Sequence, residues 1–369
     1  MPFRVKPLLR ADIAGAAALP ATSLLLAAAI AGCGGSRHGS SSTTPGAAVT
    51  FLNNYVRPNG RVTRLDQGND TVSEGQAYGL LLAEAAGDDG TFGRIWRWTR
   101  DHLRQPNGLF AFHANAAGQV LDPQPASDAD LIIAWALLRY RGPGSPAYHQ
   151  EGRQVANAIL THEVTTGPDG ARLLTAGPWA TGRPASLNPS YWSLPALASL
   201  ASLTGNPRWR RLADAAVSAT RHLTRDGRLL PSDWAELTAA GQLRSEPAPN
   251  GGQPQTQYGL DAQRTVVWFA VSCDPQAKAL ATRWWEILRQ RQRSRALALR
   301  PDGGVLNSTP AVLPLVASSA AARAAGDSGA SQRLLRRAGE QQRKSPTYYG
   351  GAWAALGAYL VAEPVLRVC

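Results

Sequence analysis

Three short motifs each place one carboxylate among small and aromatic residues. Glu74 lies in "VSEGQAYGLLLA", Asp128 in "ASDADLIIAWALL" and Asp261 in "YGLDAQR". Each acid stands at the predicted start of a helix, where the helix dipole stabilises an anion by about 0.3–1 kcal/mol. A single acid in such a place is typical of a helix cap. Three of them in similar company indicate a shared cleft for acid–base chemistry.

Aromatic residues accompany all three acids. Tyr78 and Trp135 lie downstream of the acids in the first two motifs, and Asp261 follows Tyr258 and precedes Trp268. Sugar rings stack on aromatic faces while an acid and a base work on the glycosidic bond. The pattern therefore favours a carbohydrate cleft, with Tyr78 and Trp135 as candidate substrate-binding residues.

Two of the motifs also contain the pattern of a capping box. Ser73 with Gln76, and Ser127 with Asp130, have the spacing at which two side chains reciprocally satisfy the first backbone N–H groups of a helix. We therefore assign Asp130 to capping and expect Asp128 to be the acid of this motif that serves function.

The elements that must position these acids are predicted to be helices almost throughout. A possible short hairpin occupies 106–122, and the arginine-rich run 288–300 is interpreted as one solvated helix face. The evenly spaced helices and their Gly/Pro breaks indicate a single all-helical domain. Apolar residues recur at helical spacing near 46–57, 73–87, 90–104, 128–141, 147–163, 190–203, 206–222, 259–271, 276–292, 309–325, 329–341 and 345–362.

Together with "NPSYWS" (188–193), the three acidic motifs resemble the ordered motifs of glycoside hydrolase family 8, over about residues 50–360. This endoglucanase family includes the periplasmic cellulase of bacterial cellulose-synthesis operons. The resemblance implies an (α/α)6 barrel, with six inner and six outer helices. It also implies hydrolysis of a β-1,4-glucan with inversion at the anomeric carbon.

The resemblance also implies a role for each matching residue. Glu74 corresponds to the general acid and Asp261 to the general base. Asp128 corresponds to the acid that binds and distorts the sugar at the cleavage point. Tyr191 corresponds to a tyrosine that helps to hold the attacking water, and Arg264 to an arginine that follows the base.

Two further aromatic residues are candidate sugar platforms. Phe112, in "FAFH", stands where the family often has tryptophan, and Trp179 lies in the segment 165–185, which departs from the family's pattern.

The proposed roles require different ionisation of the acid and the base. We expect burial and the neighbouring charge of Asp128 to raise the pKa of Glu74, and Arg264 to help keep Asp261 ionised.

The N-terminus has the features of an export signal. A positively charged start is followed by a short apolar stretch that ends in "IAGC" at Cys33, which is similar to a bacterial lipobox. We expect 1–32 to be a signal peptide, 33–45 a flexible tether and 46–369 the hydrolase domain. The protein is then exported to the periplasm or outer envelope and anchored to the membrane only through a lipid on Cys33.

The amino-acid composition limits the classes of ligand and partner that we expect the protein to bind. The net charge is +12, but the arginines are scattered and no nucleic-acid-binding signature accompanies them. The six histidines are dispersed and no H-E-x-x-H occurs, so neither a metal site nor a cofactor is expected. A disulfide between Cys273 and Cys369 is permitted in an exported protein. The expected partners are a β-glucan substrate and possible cellulose-synthase machinery, with a monomeric protein.

Other functions stay open on the sequence alone. One is a non-catalytic polysaccharide-binding lipoprotein, and another is a lyase acting on an acidic polymer. A serine hydrolase is suggested only by "GDSGA" (326–330), which has no evident histidine partner. Within the family, xylan, mixed-linkage glucan and chitosan are alternatives to cellulose.

Overall fold

Twelve α-helices alternate between two layers in the part of the chain that the structure describes, residues 44–167, 170–249, 251–363 and 366. The structure is a computed structural model. The predicted signal peptide, Cys33 and Cys369 lie outside the described residues. The first helix begins at Thr44, slightly before the predicted domain boundary, so the predicted tether overlaps its first residues.

The helices form the predicted (α/α)6 barrel. The outer helices are α1 (Thr44–Tyr55), α3 (Asp89–Leu103), α5 (Ser145–His162), α7 (Arg208–Leu223), α9 (Pro275–Leu288) and α11 (Ser328–Lys344). The inner helices are α2 (Ser73–Ala86), α4 (Ser127–Arg139), α6 (Leu194–Thr204), α8 (Leu260–Ala270), α10 (Val312–Ala324) and α12 (Tyr348–Gly357), the last continued by a π-helical turn at Ala358–Ala362.

The two layers differ in how their side chains are buried. Every residue of α4 except Arg139 is buried, because an inner helix has neighbours on all sides. In α11, by contrast, the buried residues are Ala330, Ser331, Leu334 and Ala338, and most of its arginines face solvent. Small and apolar residues all round therefore mark an inner helix, whereas a narrow apolar stripe marks an outer one.

The connections between helices differ at the two ends of the barrel. A short connection such as 87–88 follows each of the first five inner helices, whereas much longer ones such as 104–126 and 224–259 lead into most of them. Because consecutive helices alternate in direction, the N-termini of all inner helices gather at the end that carries the long connections.

All ten strands of the described ranges lie in the long connections. β1 (Thr71–Val72), β2 (Ala111–Ala114) and β3 (Val120–Pro125) form one antiparallel sheet, and β6 (Ala185–Leu187), β7 (Trp234–Leu237) and β8 (Leu243–Glu246) form another. β4 (Val164–Thr166) pairs with β5 (Arg172–Leu174), and β9 (Ala296–Leu299) with β10 (Val305–Pro310). The hairpin predicted over 106–122 is present as β2 and β3, but the other strands were not predicted.

The arginine-rich run 288–300 is not one helix face. α9 ends at Leu288, a 3₁₀ helix covers Arg293–Arg295, and β9 occupies Ala296–Leu299. Positions 296–299 are four consecutive apolar residues, and the strand buries Ala296, Ala298 and Leu299 against the barrel. This short apolar segment, rather than the charge pattern, decides the structure at the end of the run.

Neither predicted capping box forms. α2 and α4 begin at Ser73 and Ser127 themselves, and neither helix has a side-chain cap. Gln76 accepts a hydrogen bond from the backbone N–H of Val62 at 2.5 Å, and Asp130 accepts one from that of Phe110 at 3.0 Å. These side chains tie the long connections to the inner helices.

Three smaller points concern the remaining predictions. Cys273 takes part in a disulfide bond. Asp327 of the "GDSGA" stretch caps α11 by accepting a hydrogen bond from the backbone N–H of Ala330 at 2.9 Å, so this stretch has a structural function. Within the described ranges, no helix combines the length and apolar character needed to cross a bilayer.

Candidate active site

The three acids meet at one arginine. Glu74, Asp128 and Asp261 are each the second residue of an inner helix, in α2, α4 and α8. Arg264 donates through Nη1 to Glu74 Oε1 at 2.5 Å and to Asp128 Oδ2 at 2.7 Å, and through Nη2 to Asp261 Oδ1 at 2.8 Å. The structure thus brings together the residues that the sequence matched to acid, base and sugar-binding acid.

Arg264 is enclosed by polar and aromatic groups. Its Nη2 donates to the Ser190 hydroxyl at 2.8 Å, its Nη1 approaches the Tyr78 hydroxyl at 3.2 Å, and its guanidinium lies 5.3 Å from the Tyr191 ring centroid. Burial alone would lower the pKa of Arg264, but the surrounding tyrosines and acids raise it well above its usual value. Arg264 therefore carries its positive charge at any working pH.

Glu74 is poised between two ionisation states. Burial raises the pKa of this carboxyl to about 7, helped by the charge of Asp128 and opposed by Arg264 and by the hydrogen bond from Tyr78. The upward shift agrees with the sequence-based expectation. Tyr78 donates to the same Oε1 that Arg264 contacts, at 2.9 Å. Oε2 thus stays available for a proton directed at a bound substrate.

Asp261 is the acid most open to solvent. Its side chain is 30% exposed, against 18% for Glu74 and 11% for Asp128. One carboxylate oxygen accepts from Arg264, and the other accepts from Asn188 Nδ2 at 3.1 Å. Two donors therefore hold this carboxyl group while one side of it stays open to a water molecule.

Asp128 is less exposed than Asp261 and also has two hydrogen-bond donors. Besides Arg264, the backbone N–H of Ala129 donates to its Oδ1 at 2.8 Å. Burial raises the pKa of Asp128, and the charge of Asp261 adds to this, whereas Arg264 lowers it. Asp128 shares one guanidinium nitrogen with Glu74, so these two acids lie side by side while Asp261 contacts the other nitrogen.

The start of α8 is built around a fourth acid. Asp233 accepts hydrogen bonds from the backbone N–H groups of Gly259 and Ala262 at 2.9 and 2.8 Å, and from the Gln257 amide at 3.0 Å. A Cβ at position 259 would come 2.4 Å from Asp233, so only glycine fits. Burial and the charge of Asp261 raise the pKa of Asp233 to about 6. This acid therefore fixes the helix turn that carries Asp261.

Three aromatic candidates lie at or near the open end of the barrel. Tyr191 is half-buried, borders a small cavity beside Glu74 and packs edge-on against Trp234 at 6.3 Å. Trp179 is 43% exposed and donates through Nε1 to the carbonyl of Pro125, just before α4. Phe112 is half-buried on β2, in the same sheet as the strand that precedes α2.

Two other aromatic predictions need correction. Trp135 is fully buried in α4, with the Arg139 guanidinium 5.7 Å from its ring centroid, so it cannot stack on a sugar in this structure. Tyr78 is also buried, and its ring packs edge-on against Trp353 at 5.6 Å. Tyr78 acts on Glu74 through its hydroxyl rather than as a platform for substrate.

Several residues of the site were not predicted. Asn188 and Ser190 belong to the "NPSYWS" motif, so that motif already pointed to them. Tyr349 is half-buried at the start of α12 and exerts an electrostatic effect on Arg264, Glu74 and Asp261. Nothing in its local sequence distinguishes Tyr349 from an ordinary aromatic residue of a helix start.

The centre of the acid cluster holds a cationic side chain. Arg264 occupies the place between the carboxylates that a metal ion would need. Among the residues that the structure describes, no group of histidine, cysteine and acidic side chains has an arrangement suited to a metal.

Comparisons of the sequence and the structure with known proteins agree on one protein family. The model of glycosyl hydrolases family 8 matches residues 38–359. A probable endoglucanase of Novacetimonas hansenii is 32% identical over 255 residues, which are 64% of this chain and 70% of that protein. An endoglucanase of Cellulomonas uda is 31% identical over 194 residues, 51% of this chain and 54% of that protein. The structure of endo-β-1,4-glucanase CMCax from Acetobacter xylinum superimposes with a TM-score of 0.71 at 28% identity, covering 87% of this chain and 98% of that one.

Proposed function

Because the chain belongs to glycosyl hydrolase family 8, we propose that it is an endoglucanase that hydrolyses β-1,4-glucan chains by the inverting mechanism general to that family. The names of the similar proteins, an endo-β-1,4-glucanase among them, support this substrate class. One observation carries the proposal for this chain: three acids of unequal exposure meet at the open end of the barrel on the buried Arg264.

Glu74 serves as the general acid. Its pKa of about 7 keeps a proton on a large fraction of molecules near neutral pH, as protonation of a leaving sugar oxygen requires. The contacts from Tyr78 and Arg264 both fall on Oε1. They fix the carboxyl plane and leave Oε2 to carry the proton.

Asp261 serves as the general base. It is the most exposed of the three acids, and hydrogen bonds from Arg264 and Asn188 hold its two carboxyl oxygens in place. A water molecule beside Asp261 can attack the anomeric carbon from the face opposite to Glu74, which inversion requires. Tyr191 borders the site and helps to hold that water.

Asp128 binds and distorts the sugar at the cleavage point. Arg264 neutralises part of its charge, so Asp128 can accept hydrogen bonds from sugar hydroxyls while lying beside Glu74. A distorted ring costs about 1–5 kcal/mol, which contacts elsewhere along the chain of sugars supply. Trp179 and Phe112 are the platforms proposed for those contacts.

Paired amide variants test the acid and the base. Glu74→Gln and Asp261→Asn preserve side-chain size, and each should reduce release of reducing ends from carboxymethylcellulose by about 10²–10⁴-fold. Glu286→Gln and Asp101→Asn make the same chemical changes at exposed positions of outer helices and should leave the rate unchanged. Full activity in either site variant would refute that residue's role, and an inactive folded wild type would refute the activity.

The preferred polymer is proposed to be cellulose. The lipobox-like leader supports a cellulose-operon type of enzyme, and the positive charge makes polycationic chitosan a poor substrate. Such an enzyme would work beside cellulose-synthase machinery. Product profiles on cellulose, mixed-linkage glucan, xylan and chitosan test this choice, which fails if xylan or chitosan is cleaved fastest.

The protein is also proposed to be exported and lipid-anchored at Cys33. The apolar leader and the polar segment after it support export, and the disulfide at Cys273 suits an oxidising compartment. Metabolic labelling with a tagged fatty acid should mark the wild type and not Cys33→Ser. Equal labelling of both proteins would reject the anchor.

A further inference from the structure

Two buried acids outside the catalytic cluster have carboxyl oxygens without a hydrogen-bond donor. Asp130 in α4 and Glu163, directly after α5, are both 0% exposed. Of their four carboxyl oxygens, Asp130 Oδ1 accepts from the Phe110 N–H, while Asp130 Oδ2 and both oxygens of Glu163 have no donor. An ionised buried carboxylate without donors is among the costliest groups a protein can contain.

The two carboxyl groups face each other. The two side chains are close enough to form a hydrogen bond once one of them carries a proton, and the charge of Asp128 acts on both. If both were ionised, neither could donate and two like charges would lie together in a dry site. One proton between them supplies a donor for a hydrogen bond that joins the two carboxyl groups, and it removes one of the two charges. We propose that Asp130 and Glu163 share a single proton at neutral pH and position the start of α4, which carries Asp128.

The acid pair connects α4 with the long connections on either side of it. Asp130 fixes Phe110, which leads into β2 and the candidate platform Phe112. The backbone carbonyl of Glu163 accepts from Thr175 N at 2.8 Å and from Thr175 Oγ1 at 2.9 Å.

The connection continues from Thr175 to the catalytic helix. Its carbonyl accepts from the Ser127 hydroxyl at 2.5 Å, and Ser127 directly precedes Asp128. A shift of the acid pair therefore moves both the wall of the cleft and the helix turn beneath Asp128.

The shared proton has a direct spectroscopic test. Wild-type protein at about pH 9, two units above the pKa of Glu74, should show the infrared carbonyl band of a protonated carboxylic acid. The band should disappear in the double variant Asp130→Asn/Glu163→Gln, which keeps an amide donor at both positions. Glu84→Gln is the matched control, since Glu84 is paired with Arg139 at 3.0 Å. It should leave the band unchanged. A wild type without the band, or a band that persists in the double variant, would overturn the shared proton.

Unfolding equilibria give an independent measurement. Above the pKa of an unfolded glutamate, the folded wild type holds one proton that the unfolded chain has lost. Relative to the double variant, the wild-type unfolding constant should therefore rise about tenfold per pH unit, until the pair finally ionises. An equal pH dependence in both proteins would show that no proton is held and would refute the proposal.

The positioning role rests on the function proposed above and is tested separately. Glu163→Ala removes the donor and should lower kcat several-fold, whereas Glu163→Gln restores a donor and should recover most of that loss. Equal kcat in folded samples of both variants would refute positioning. Because the infrared and unfolding measurements need no substrate, failure of the endoglucanase assignment leaves the shared proton testable.

Discussion

Replacing Arg264 with methionine perturbs the whole site through one side chain. The change removes the donor of five hydrogen bonds from a position that is 3% exposed; their acceptors are Glu74, Tyr78, Asp128, Ser190 and Asp261. Removing one partner of a buried ion pair costs about 3–5 kcal/mol, a large part of the 5–15 kcal/mol that stabilises a typical domain. Because Glu74 and Asp261 keep some solvent contact, we expect the lower end of that range.

The stability that Arg264→Met loses depends on pH in a definite direction. Arg264 lowers the pKa of both Glu74 and Asp128, so its removal raises both pKa values further. A folded-state pKa above the unfolded value favours the protonated fold, and that stabilisation is lost as pH rises through the folded pKa. The stability gap between wild type and Arg264→Met should therefore be small near pH 5 and widest above about pH 8.

The pH profile of activity separates the effect of the Arg264 charge from the effect of its hydrogen-bond geometry. For the wild type, kcat/KM should fall on the alkaline side with an apparent pKa near the value of about 7 found for Glu74. In Arg264→Met we expect activity about 10²-fold lower, because the acids lose their alignment, and an alkaline limb moved to higher pH. Arg264→Lys is the matched control, since it keeps the charge without the two-nitrogen fork, and its limb should stay closer to that of the wild type. An alkaline limb of Arg264→Met that stays in place or moves to lower pH would refute the electrostatic reasoning.

Three further outcomes follow from the same geometry. Asp128→Asn should lower kcat by about tenfold or more, since sugar distortion is worth about 1–5 kcal/mol, and an unchanged kcat would remove Asp128 from the mechanism. Proton NMR of fresh product should show the α-anomer first, because an acid and base about 6.5–9.5 Å apart leave room for water, and early β-anomer would exclude Asp261 as base. Trp179→Ala should raise KM more than it lowers kcat, whereas Trp135→Phe should change the melting temperature and leave KM unaltered.

The helical framework could be predicted because each inner helix carries its own signal. Segments such as 73–87 and 309–325 are rich in apolar and small residues around their whole circumference, and the structure makes them α2 and α10. The position of each acid near a helix start was correct to about one residue. Where an acid at a helix start has an aromatic neighbour and lies beside a Gly or Ser break, the local sequence is sufficient to predict the position of that acid.

Apart from the hairpin of β2 and β3, the strands were not predicted, because most of them are short and some, such as β6, pair with a distant segment. β6 is three residues long and pairs with β7, whose register joins Leu187 to Ala235. A three-residue strand has too few positions to display alternation. Its stability comes from backbone pairing between two separate long connections, which neither segment encodes alone.

Depth along the helix explains why Trp135 was assigned to the cleft in error while Tyr78 does contact Glu74. The acids sit at the N-terminal ends of inner helices, and a helix rises 1.5 Å per residue. Tyr78, four residues after Glu74, lies about 6 Å down the axis and its long side chain reaches back. Trp135, seven residues after Asp128, lies about 10 Å down and enters the core. Residues that follow an acid in its own helix therefore lie deeper in the barrel. The sides of the site come from other elements, which supply Asn188, Ser190 and Tyr349.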